Sequence, residues 1–154
     1  MRGGATLALG ALSLACAGGP PEPAELDTRH EQCARCRMAV SDPRFAGQVG
    51  APGELPRFFD DIGCLAGWLQ TQKAQNALPE GAVAWVADHR TGSWVRADEA
   101  VYTRVSGLET PMGSHVIAHA DAASRDEDPD GRGGSPVAPA ELFGPAGPPR
   151  GGRR

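Results

Sequence analysis

The sequence predicts an α+β domain: small antiparallel strand units around one main helix, with disordered tails. Three observations predict it. The large apolar residues of the 154-residue chain concentrate between about residues 28 and 125, while its 21 glycines and 14 prolines crowd the two ends. One segment, IGCLAGWLQTQKAQ, carries apolar residues at helical spacing (Ile62, Leu65, Trp68, Leu69). The segments on either side are short, strand-like and separated by turn residues. Strands, one helix and strands again is an α+β order.

Before the domain, Arg2 precedes an apolar run over residues 5–15. That length is too short to span a bilayer and suits a signal peptide. The run ends at SLAC, which looks like a lipobox with Ser13 where leucine is usual, and makes Cys16 the lipidated residue after cleavage. Ordinary secretion with cleavage near Ala15 or Ala17 is the alternative. Both place the domain outside the cytoplasm. The expected organisation is a leader over 1–16, a Pro/Gly tether over 17–27, a domain over 28–125 and a low-complexity, mostly disordered tail over 126–154.

Within the domain, Asp42-Pro43 marks a turn and residues 45–49 read as a strand. Residues 57–59 form a short apolar strand. Asp61 is placed to cap the helix that follows, with Cys64 in its first turn, where the helix dipole favours a thiolate. Residues 82–87 and 93–96, joined by HRTG, predict a hairpin. Strands over 101–105 and 115–120 follow, separated by the Thr110-Pro111-Met112-Gly113 turn. In the tail, SPVAPAELF can dock through Val137, Leu142 and Phe143. No repeat of fixed period is present in the sequence.

The net charge of -4 and the lack of a basic patch with interleaved aromatics argue against nucleic acid as a partner. The four cysteines are Cys16, Cys33, Cys36 and Cys64. If Cys16 is lipidated, the three that remain cannot all pair, so a pure disulfide framework does not fit. A Cys33–Cys36 disulfide stays open when no metal protects it. In CARCRM, Cys33 and Cys36 can bring two thiolates to one ion, and a thioether such as Met38 suits copper(I) better than zinc. Cys64 supplies a third thiol. Met112 sits between proline and glycine with His115 three residues on. Each has a plain reading as well: Met38 as a core residue, Cys64 as an inert buried thiol, His115 as a surface histidine. Asp60 and Asp61 read most simply as helix-start residues. Zinc held by the three cysteines and one histidine is a competing metal reading, although the second close pair of a zinc ribbon is missing. A redox dithiol expects CxxC to open a long helix, and Pro43 follows too closely for that.

CARCRM, RFFDDIGCLAGWL, WVADHRTGSWV and TPMGSHVIAHAD, in this order and together with the lipobox, resemble the NosL family of copper-binding accessory lipoproteins of nitrous oxide reductase. The resemblance covers residues 33–121. It implies a pair of small ββαβ-like units related to the organomercurial lyase. It also implies a periplasmic, lipid-anchored copper(I) chaperone, not an enzyme. Such a protein works with a copper enzyme of the nitrous oxide reductase kind and an ABC-type maturation complex. The family's CGM signature lands on Cys36, Arg37 and Met38, which makes Cys36 and Met38 implied ligands. Its PMG element lands on Met112. Arg37 stands in place of the usual glycine, where glycine would permit a positive φ. Cys33, Cys64 and His115 join the candidate set from their own chemistry and sequence proximity. A second function class, suggested by fold kinship, is an enzyme that cleaves carbon–mercury bonds with Cys33 or Cys36, Cys64 and Asp60.

Overall fold

The computed structural model describes residue 19 and residues 21–152. The leader, the Cys16 lipidation site and the first part of the tether lie outside the described residues. The described residues form two antiparallel sheets. The first contains β1 (Gly47–Gly50), β2 (Arg57–Phe59), β3 (Val83–Ala87) and β4 (Trp94–Arg96), in the order β2-β1-β3-β4. The second contains β5 (Val101–Arg104), β6 (Val116–His119) and β7 (Ser135–Val137), in the order β6-β5-β7. Helix α1 (Ile62–Ala74) lies between β2 and β3, α2 (Ala122–Glu127) between β6 and β7, and α3 (Pro139–Phe143) follows β7.

The two halves share one topology. In each, a hairpin is followed by a helix and then by a strand that pairs with the free edge of the hairpin's first strand. Each helix starts just after the second strand and is capped by an aspartate. Asp61 accepts from the Gly63 amide, and Asp121 from the Ser124 amide. The paired ββαβ architecture is therefore present. It is a repeat of topology without a repeat of period, because the helices have 13 and 6 residues and the loops differ.

Both faces of the first sheet are covered. Gly47 faces α1, and a Cβ there would lie 2.8 Å from Leu65 Cδ2. One residue on, the Gln48 side chain points to the other face. It receives the Ala24 amide at 2.8 Å and donates to the Ala24 carbonyl at 3.0 Å. Trp85 lies opposite Gln48 in the register, and Phe58 packs against Trp94. Coverage on both sides explains why β1 and β3 are buried along their whole length rather than alternating.

Two expectations about the ends are corrected here. Residues 21–27 are not a free tether, since Ala24 and Leu26 pack against the core. Residues 126–152 are not a disordered tail. They contain β7 and α3, they bury Val137, Leu142 and Phe143, and Pro149 and Gly151 bond to Ala84 and Ala82 at the start of β3. The expected docking of Val137, Leu142 and Phe143 is what the structure shows. Phe143 stacks edge-on against Tyr102, and Gln70 and Lys73 of α1 donate to the Leu142 and Phe143 carbonyls. The charged and Gly/Pro-rich composition conceals the three apolar anchors that pay the ordering entropy.

Candidate metal centre

Residues 32–39 form a closed loop. Gln32 and Ala39 pair as an isolated bridge, the Cys33 amide donates to the Met38 carbonyl at 2.8 Å, and the Arg37 amide donates to the Cys33 carbonyl at 3.0 Å. Closing this loop requires a left-handed residue, and Arg37 takes that role with φ of 69°. The loop turns both cysteines inward: Cys33 is fully buried, Cys36 is half-buried, and the Cys36 amide approaches Cys33 Sγ at 3.5 Å.

Beside this loop lies the start of α1. Ligand atoms of Cys33, Cys36, Asp60 and Cys64 all lie within 4.8 Å of one another. The Cys36 thiol donates to Asp60 Oδ2 at 3.2 Å, while Asp60 Oδ1 is buried without a hydrogen-bond partner. Burial pushes the Cys36 thiol up to about 11. Asp60 adds to this by accepting its hydrogen, and the Met38 amide acts in the opposite sense. Burial also pushes the Cys64 thiol up, with Asp60 and Cys33 adding to the effect. The helix dipole expected to favour a Cys64 thiolate is thus outweighed by desolvation and acidic company. In the metal-free protein these are thiols. A soft cation is what would draw the proton off.

Across the cavity stands the turn that carries Met112, and Asp61 holds it there. Its Oδ2 accepts from Thr110 Oγ1 at 2.6 Å and from the Met112 amide at 3.1 Å, while its Oδ1 caps α1 through the Gly63 amide at 2.6 Å. The turn packs directly on the helix, since a Cβ on Gly63 would meet Ser114 Cβ at 2.9 Å. Together these segments enclose a cavity of about 440 Å³ lined by Arg35, Cys36, Gly63, Cys64, Met112 and Ser114. The Arg35 guanidinium lies along α1 and donates to the Gly63 carbonyl at 3.1 Å. It occupies space that only a glycine at position 67 leaves free, because a Cβ there would lie 1.7 Å from it.

The comparison with protein families matches the NosL family model over residues 23–142. The chain belongs to the NosL family. No curated protein and no solved structure matches it.

In this NosL-family chain the six predicted ligands separate into groups. Cys33, Cys36 and Cys64 come together, and Met112 lines the same cavity as Cys36 and Cys64. Met38 is not a core residue: it is 57% exposed, two residues after Cys36, and Met112 is 45% exposed. His115 is separate. It lies outside the four-residue group, and its Nδ1 is engaged by the Leu108 carbonyl at 2.7 Å. Asp60 and Asp61, read from the sequence as simple helix-start residues, are respectively a member of the cluster and the anchor of the Met112 turn. Two adjacent carboxylates at a cap that needs only one are the signal that was available.

A second group, His89, His119 and Asp128, is buried elsewhere. Asp128 Oδ2 accepts from His89 Nδ1 at 2.7 Å and from His119 Nε2 at 2.9 Å. Burial raises the Asp128 carboxyl, but the two ring N–H groups outweigh it and draw it down to about 2. The acceptor-only carboxylate fixes the ring protons on His89 Nδ1 and His119 Nε2. The outer nitrogens, His89 Nε2 and His119 Nδ1, have no partner. With one nitrogen of each ring engaged by the same carboxylate, the group acts as a hydrogen-bonded knot between the two halves.

Proposed function

We propose that this chain is an extracytoplasmic copper(I) carrier that passes its cargo to a copper enzyme, and that it is not itself an enzyme. One observation carries the reading: Cys36 and Met112, from segments far apart in sequence, line one open cavity, and Met38 is exposed two residues after Cys36. The donor set fits the cargo. Thiolate and thioether are soft ligands that suit copper(I), and thioethers add little for zinc. An accessible rim suits ligand exchange, in which a partner's soft donor enters from the open side before Cys36 lets go. Family membership supports assembly of the copper–sulfide centre of nitrous oxide reductase, with an ABC-type maturation complex, as the destination. The SLAC motif supports lipid anchoring at Cys16 on the periplasmic side of a bacterial membrane. The test is an anaerobic titration of the reduced protein with copper(I) against a competing chelator. Cys36→Ser should weaken binding most, with Met38→Leu and Met112→Leu weaker and similar to each other. Unchanged affinity in Cys36→Ser would sink the reading.

A second reading draws on the Cys36–Asp60 hydrogen bond with two more thiols alongside. That set of groups also suits protonolysis of a carbon–mercury bond. Release of the hydrocarbon from an organomercurial by the purified protein would favour an enzyme over a carrier.

A further inference from the structure

The copper reading uses Cys36 and the methionines and leaves Cys33, Cys64 and Asp60 without a task. These three are buried, at 0%, 4% and 2% exposure, next to the half-buried Cys36. We propose that Cys33, Cys36, Cys64 and Asp60 form an inner four-donor site for a divalent ion of the zinc class, and that it shares Cys36 with the outer copper(I) site. The two ions then exclude each other. The inference rests on the copper reading only for this exclusion.

Three features point to the inner site. The first is donor number: three sulfurs and one carboxylate make the four ligands of a closed zinc site, and no histidine takes part. The second is spacing. Zinc at about 2.3 Å from sulfur separates tetrahedral donors by roughly 3.7 Å, and the four donors already lie within 4.8 Å of one another. Small side-chain movements close that difference. The third is the unpartnered Asp60 Oδ1, buried in the group with its hydrogen-bonding capacity unused. An orphaned buried carboxylate oxygen is costly, and a cation removes the cost. On binding, each thiol that becomes a ligand releases its proton to solvent. Arg35, which lines the cavity with Cys36 and Cys64, offsets part of the remaining negative charge. Met38 and Met112 stand outside this four-donor set, and both are exposed. One centre thus offers a four-donor thiolate–carboxylate inner seat and a thiolate–thioether outer seat, hinged on Cys36.

The test uses the reduced full chain under anaerobic conditions, with cobalt(II) as the spectroscopic probe and zinc(II) as its competitor. The expected result is one cobalt per chain with tetrahedral d–d bands and thiolate charge-transfer absorption. These should persist in the Met38→Leu/Met112→Leu variant and be displaced by one equivalent of zinc or of copper(I). Asp60→Asn should weaken zinc by at least about tenfold, and by a larger factor than it changes copper(I) affinity. Cys64→Ser, checked for folding by circular dichroism, serves as a second variant and should abolish the cobalt bands. Six-coordinate cobalt without thiolate absorption, loss of the bands in the methionine variant, or simultaneous binding of copper(I) and zinc would overturn the proposal. Failure of copper(I) to bind while tetrahedral cobalt forms would overturn the carrier reading and leave the inner site standing.

Discussion

Arg37 holds a left-handed φ of 69° in the loop that carries Cys36, and the residue is exposed. A residue with a Cβ pays roughly 1 kcal/mol for that conformation. Arg37→Gly should therefore raise stability by about 0.5–1 kcal/mol, read as a higher urea midpoint at unchanged slope. A lower midpoint would mean that the arginine side chain contributes something its exposure conceals. The sequence showed the substitution at a position where glycine is usual. It did not show that the arginine takes the left-handed backbone a glycine would permit, because the Gln32–Ala39 bridge and the Cys33–Met38 hydrogen bond enforce it. Cys64 is the converse case. Its position in the first turn was legible, but its protonation was not, because burial depends on what packs over the helix.

The first turn of α1 is the element that assembles the centre. Asp60 reaches back to Cys36 and Asp61 reaches across to the Met112 turn, so one dipeptide sets both sides of the cavity. Asp61→Asn keeps an oxygen for the Gly63 amide and presents an amide group where the Met112 N–H needs an acceptor. The helix should stay intact while stability falls by about 1 kcal/mol. Hydrogen-exchange protection at the Met112 amide should drop, and copper(I) affinity should weaken with it. Protection at Met112 equal to wild type would show that Asp61 only caps the helix. Capping was predictable from Asp61 standing before an amphipathic run. The second bond was not, since it depends on Thr110 and Met112 arriving from the other half of the chain.

At the scale of the molecule, two buried aspartates join the halves. Asp88 Oδ2 accepts from the Ala120 amide and from Ser124 Oγ, both at 2.7 Å, and the His89 amide donates to the Ala118 carbonyl. Asp128 ties His89 of the first half to His119 of the second. Its carboxyl is drawn from 3.8 down to about 2. A depressed carboxyl pKa favours the folded state above the unfolded value, here by about 2 kcal/mol, and that contribution disappears as pH falls through the folded value. Stability should thus be level above about pH 5 and decline toward pH 2. Asp128→Asn should lower the plateau and flatten the decline. A variant midpoint that falls as steeply as wild type would place the acid sensitivity elsewhere.

The sequence by itself determined the α+β class, the main helix with its cap, the β3–β4 hairpin and the thiol-rich loop. Each is written in local spacing, in turn residues or in a capping residue, and needs no distant partner to be read. Only the tertiary structure decided that three cysteines and Asp60 converge, that Met112 faces them and that His115 does not. It also decided that both ends pack onto the domain. Those outcomes depend on long-range pairing and burial, which turn residues of unremarkable local context into neighbours a few ångströms apart.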